Sequence, residues 1–110
     1  MAHITITPNK TRLTITAGGM QLGMTEAALT LAEGSYPAVT YIPRADVDMQ
    51  KLVKTSRQTT CPHKGVASYY TIQTPQGPLE NAVWSYETPI DSVAAIAGYL
   101  AFYPDKVSLG

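Results

Sequence analysis

Hydrophobic and polar residues alternate with period two through the first part of the chain. Ile4 and Ile6 fall on one side, Thr5 and Thr7 on the other. Leu13 and Ile15 likewise alternate with Thr14 and Thr16. β-Branched residues in this rhythm suit a half-buried pleated strand better than a helix. Gly18-Gly19 predicts a turn, so residues 12–17 and 20–23 are expected to pair as a hairpin. The segment Thr25–Leu31 is mixed: Glu26, Ala27 and Ala28 favour helix, whereas Leu29-Thr30-Leu31 favours strand. Gly34 and Pro37 follow closely and leave little length for a helix, so a strand over 28–32 is expected. Val39 and Tyr41 predict a further strand, which Pro43 stops.

Beyond Pro43 the pattern is more broken. One helical turn capped by Asp46 is expected, then a strand over 52–55. Gly65 opens a strand candidate over 66–71, and Leu79 to Tyr86 forms another. Pro75-Gln76-Gly77-Pro78 between them is the clearest turn signal and predicts a hairpin. A helix follows Pro89, with Asp91 or Ser92 as cap, an apolar run from Val93 to Ala97, and Gly98 at its end. Tyr99–Tyr103 reads as strand, Pro104-Asp105 as turn, and 106–109 as a closing segment. The reading is a mostly β, compact single domain over 1–110 with one short helix near residues 90–98.

Composition changes this picture little. With 110 residues, 45% apolar and 15% charged, the chain can bury a core without disulfides or metal. Eight Lys plus Arg balance eight Asp plus Glu. Net neutrality argues against nucleic acid as a partner, because nonspecific binding to phosphates needs a basic footprint. It does not oppose self-association, which keeps a homodimer among the expected partners. No apolar run of membrane-spanning length occurs, so no membrane partner is expected. Residues 1–6 carry neither the basic nor the apolar region of a signal peptide, and with a single cysteine a cytoplasmic location is expected.

The candidate chemistry is concentrated in a few places. Seven of the nine aromatic residues lie after residue 68: Tyr69, Tyr70, Trp84, Tyr86, Tyr99, Phe102 and Tyr103. They build either a core of rings or an aromatic pocket whose polar tips orient a small molecule. Cys61 has His63 and Lys64 within three residues, the kind of cation that activates a thiol, although a lone cysteine commonly serves as a small buried apolar residue. Cys61 and His63 alone do not make a zinc site, which needs at least three protein ligands. Lys64-Gly65 lacks the spacing of a phosphate-binding loop. No pair of carboxylates stands out for acid–base work. Arg44, at a strand end, suits a carboxylate or phosphate held at two points, or an ion pair with Asp46 or another carboxylate.

Four ordered blocks carry a resemblance. They are Tyr41-Ile42-Pro43-Arg44-Ala45-Asp46-Val47, then Cys61-Pro62-His63-Lys64-Gly65-Val66-Ala67-Ser68-Tyr69-Tyr70, then Asn81-Ala82-Val83-Trp84-Ser85-Tyr86, then Gly98-Tyr99-Leu100-Ala101-Phe102-Tyr103. In this the chain resembles the domain of unknown function 427 family, sometimes given a nucleotidyltransferase-like label. The resemblance implies a compact two-sheet antiparallel fold of the β-tent kind. Relatives of that architecture often hold zinc through paired Cys-x-x-Cys motifs, which this sequence lacks, so no metal and no cofactor is expected. The paired carboxylates and phosphate-holding loop that the label would require are absent too.

Three functions follow from different classes. The first is small-molecule binding, of an anionic or aromatic ligand, in a pocket lined by the Cys61–Gly65 segment and strand aromatics. Arg44, Cys61, Lys64, Tyr70, Trp84, Tyr86 and Tyr99 are its expected ligand-binding residues. The second is an enzyme using Cys61 or Lys64, with no catalytic residue assignable. The third is a structural or interaction protein. Binding ranks first because the signature residues gather at loops and strand ends.

Overall fold

The computed structural model describes residues 3–110. Ten strands account for most of them: β1 (Ile4–Asn9), β2 (Leu13–Ala17), β3 (Met20–Thr25), β4 (Ala28–Glu33), β5 (Val39–Tyr41), β6 (Leu52–Cys61), β7 (Gly65–Thr74), β8 (Gly77–Ser85), β9 (Ala101–Phe102) and β10 (Ser108–Leu109). Every named pair is antiparallel. The mostly β, antiparallel reading holds. The strands divide among three sheets instead of the expected two, in the orders β1-β4-β5, β10-β2-β3 and β6-β7-β8-β9.

The four-stranded sheet is the centre, and its two faces serve two cores. On β7 the alternation sends Tyr70 and Ile72 to one core and Ala67 and Tyr69 to the other. The first core adds Ile15, Ala17 and Leu22 from the β2-β3 hairpin, with Val83 and Phe102. The second adds Leu31 from β4, Tyr41 from β5, and Tyr86, Val93 and Ile96. Ile42 and Leu100 join the outer sheet to the centre. Each amide donates to the other's carbonyl at 2.8 Å, and both side chains are fully buried.

Two local features differ from the sequence reading. The helix near 90–98 is a 3-10 helix over Asp91–Ile96, kinked at Val93 (φ −123°), and neither Asp91 nor Ser92 caps it through a side chain. Two apolar positions, Val93 and Ile96, are buried, too few to hold a longer α-helix against a core. The expected Asp46 cap is also corrected. Asp46 closes the 3-10 turn Arg44–Asp46, whereas it is Asp48 that caps the next turn by accepting from the Gln50 amide at 3.1 Å. Asp46 instead accepts from the buried Thr25 hydroxyl at 2.7 Å. This bond ties the turn to β3 where Gly23 bridges Val47, and a Cβ at Gly23 would fall on the Asp46 carbonyl oxygen.

β6 runs on to Cys61, well beyond its expected end at Thr55, and makes a hairpin with β7. The Cys61–Gly65 segment is therefore the tip of this hairpin. Cys61 pairs with Gly65, the Lys64 amide donates to the Cys61 carbonyl at 3.2 Å, and Gly65 takes a φ of +113° that L residues rarely adopt. Among the described residues, no helix is long and apolar enough to cross a membrane.

Candidate functional site

The seven expected site residues do not meet at one place. The pleat of β7 and β8 separates them onto opposite faces of the central sheet. Arg44 and Tyr70 lie on the first face. The Arg44 Nε donates to the Gly98 carbonyl at 3.0 Å, and its terminal nitrogens donate to the Tyr70 hydroxyl, the Ser85 hydroxyl and Glu87, the last at 3.0 Å. The Tyr70 hydroxyl donates to Glu87 as well, and Lys54 reaches the other Glu87 oxygen at 2.8 Å. Burial alone would raise the Glu87 pKa, but the bonds from Lys54 and Tyr70, with the Arg44 charge, pull it down to about 2. Arg44 is thus a fastener among the turn after β5, β7, β8 and the loop at Gly98, with every guanidinium nitrogen engaged.

Cys61, Lys64, Trp84, Tyr86 and Tyr99 belong to the second face. Lys64 Nζ lies 2.7 Å from Glu33 Oε1 in an ion pair whose side chains are only 12% and 13% exposed. It also sits 5.9 Å from the centre of the Tyr86 ring, a cation–π contact. Burial pulls the Lys64 pKa down, yet the Glu33 hydrogen bond and the neighbouring Cys61 outweigh it and leave the pKa raised. Trp84 packs against Tyr103 with ring centres 4.7 Å apart. Burial pushes the Tyr86 hydroxyl well above its ordinary value and also raises that of Tyr41. Cys61 is a free thiol, half-buried against this core.

Two cavities lie away from these rings. A cavity of about 310 Å³ is lined by His3, Ile4, Pro62, His63, Ile90, Ser92 and Val93. It sits between the start of β1, the β6–β7 turn and the 3-10 helix. A second, of about 610 Å³, lies between the Gly18-Gly19 turn and residues Pro104–Leu109. None of the seven expected residues lines either one. The smaller cavity does take Pro62 and His63 from the Cys-Pro-His-Lys-Gly segment. Its walls are fixed to each other: the Ile90 amide donates to the Lys64 carbonyl at 2.9 Å, the Val93 amide donates to the Ile90 carbonyl at 2.9 Å, and Gly65 packs on the backbone of Pro89 and Ile90. Among the described residues, no group of three or more His, Cys, Asp or Glu side chains is placed to hold a metal ion.

The four sequence blocks map onto these features. The first supplies the Arg44 fastener, the second the hairpin tip, the third and fourth the ring-bearing strand and its neighbour. The family model described as "Domain of unknown function (DUF427)" matches residues 5–109. The chain belongs to this family. No curated protein matches it. Within this DUF427 domain, sequence reasoning did not single out Glu33 and Glu87, which neutralise Lys64 and Arg44. Nor did it join His3 to His63. The signal in each case is a long-range contact, with Glu33 31 residues from Lys64 and Glu87 43 from Arg44, so no local pattern could carry it.

Proposed function

We propose that this domain binds a small molecule in the cavity beside the Cys61–Gly65 turn. The observation that carries the reading is the lining. Two imidazoles from opposite halves of the chain and one hydroxyl border a cavity otherwise walled by Ile4, Pro62, Ile90 and Val93. An apolar cavity with a few convergent polar groups is the usual form of a ligand site. Its volume falls at the small end of the usual range of roughly 300–1,000 Å³. In this reading Lys64, Glu33 and Cys61 hold the turn from behind, while Trp84, Tyr86 and Tyr99 form the core that keeps the turn in place. Lys64 with a raised pKa stays charged near neutrality, which favours a positioning role over that of a base or nucleophile.

Blocking the cavity tests the proposal. Ser92 lines it and is exposed, so Ser92→Trp fills it without touching the core. A screen of small metabolites by thermal shift is expected to find compounds that stabilise the parent protein by about 2.7 kcal/mol at a hundredfold excess over Kd. The same compounds should leave Ser92→Trp unshifted. Stabilisation that survives in the variant would place the ligand elsewhere.

A further inference from the structure

We infer that the cavity selects a small monocarboxylate with a short apolar tail. This rests on the reading of the cavity as a binding site and concerns what that site prefers. The lining contains no Asp or Glu and no Lys or Arg. A cationic ligand would find no counter-charge there. A carboxylate would find imidazole N–H groups and the Ser92 hydroxyl as donors, and hydrogen bonds to an ionised acceptor are the stronger kind.

The neighbouring cation sharpens the choice. Lys64 belongs to the same turn, but its ammonium is held by Glu33 on the buried side. A phosphate or a dicarboxylate, which calls for Arg or Lys at close range, is therefore poorly matched. A transition metal ion is poorly matched too, because two imidazoles fall short of the three or four protein ligands such an ion takes.

The apolar walls account for the tail. Val93 is buried at the floor, while Ile90 leaves 43% of its surface exposed at the rim. An alkyl chain lying along Ile90, Ile4 and Pro62 would cover that surface. The hydrogen bonds that anchor Ile90 and Val93 to the turn make the walls pre-organised, which lowers the cost of binding.

Three probes of similar chain length, hexanoate, its isostere hexanamide, and hexylamine, test the class. Each is titrated into the protein at one pH and followed by the NMR signals of the Ile90 and Val93 methyl groups and the histidine rings. Hexanoate is expected to give saturable shifts at these residues and to bind roughly tenfold or more tightly than hexanamide, with hexylamine weakest. In the double variant His3→Gln, His63→Gln the advantage of hexanoate over hexanamide should vanish. Both histidines are exposed, and continued hexanamide binding by the variant shows that its cavity is intact. Equal binding of acid and amide, or tighter binding of the amine, overturns the carboxylate class and leaves the cavity as a binding site. A zinc titration that moves both histidine rings at lower concentration than hexanoate overturns it in favour of a metal. If no probe moves Ile90 or Val93, the cavity reading fails with it.

Discussion

Glu87 takes three donors on one half-buried carboxylate, and its pKa of about 2 lies below the ordinary 4.5. The sign of the linkage follows. A group whose pKa is depressed on folding stabilises the protein above its unfolded pKa and loses that contribution as pH falls through the folded one. Melting temperature is therefore expected to drop between about pH 4.5 and pH 2. Glu87→Gln should make that drop shallower and cost about 1–2 kcal/mol near neutral pH, allowing for solvent screening of a partly exposed group. An equally steep acid drop in the variant would show that other carboxylates dominate. At this scale the sequence was half legible. Arg44 stood out because a guanidinium at a strand end needs a partner. Which carboxylate it meets depends on a register that only folding sets.

The β6–β7 hairpin is where element-level reading succeeded least. Gly65 opened β7 correctly, but Ser56, Arg57 and Gln58 are polar on both faces, so no alternation extended β6 past Thr55. The register shifts between Lys54 and Gln58, which breaks the period that a sequence reading relies on. As an edge strand β6 buries few side chains, and composition has little to say about such strands. The tip of this hairpin is pinned to β4 by Lys64 and Glu33. Removing one partner of a buried ion pair leaves the other charge unpaired, so Glu33→Ala is expected to cost about 3 kcal/mol. The double substitution Lys64→Met, Glu33→Leu should come within about 1 kcal/mol of the parent, because apolar residues of similar volume remove both desolvation costs. Denaturant melts of Lys64→Met alone, Glu33→Leu alone and the double give the coupling energy. Additive costs would mean that the pair does not act as a unit.

At the scale of the molecule, antiparallel β structure was legible from period-two alternation and from the two turns at Gly18-Gly19 and Pro75–Pro78. The number of sheets was not. Assignment of a strand to a sheet depends on bridges such as Ile42 with Leu100, which join residues far apart in the chain. Tyr70 was read as a site residue and Tyr69 as a member of the same aromatic group, yet neighbouring positions on a strand must face opposite ways, and here they feed different cores. Because β7 lies between β6 and β8 and supplies both cores, its amides, with those of Ile42 and Leu100, are expected to exchange hydrogen most slowly. Amides of β1 and of the 3-10 helix should exchange faster, as they border the surface. Uniform exchange rates would instead indicate that the whole chain opens as one unit.

The short strand β10 gives the fold a temporal order. Ser108 pairs with Thr16 and Leu109 with Ile15, and the Gly110 amide donates to the Thr14 carbonyl. Strand β2 thus waits for a neighbour made more than ninety residues later, by the register of those pairs. On a ribosome, the β2-β3 hairpin would emerge early and keep one edge open until residues 108–109 follow it. The first core could be sealed only once synthesis had passed residue 109. Nascent chains halted short of that point should remain sensitive to protease, and chaperones that shield open strand edges would have their longest window of access on this hairpin.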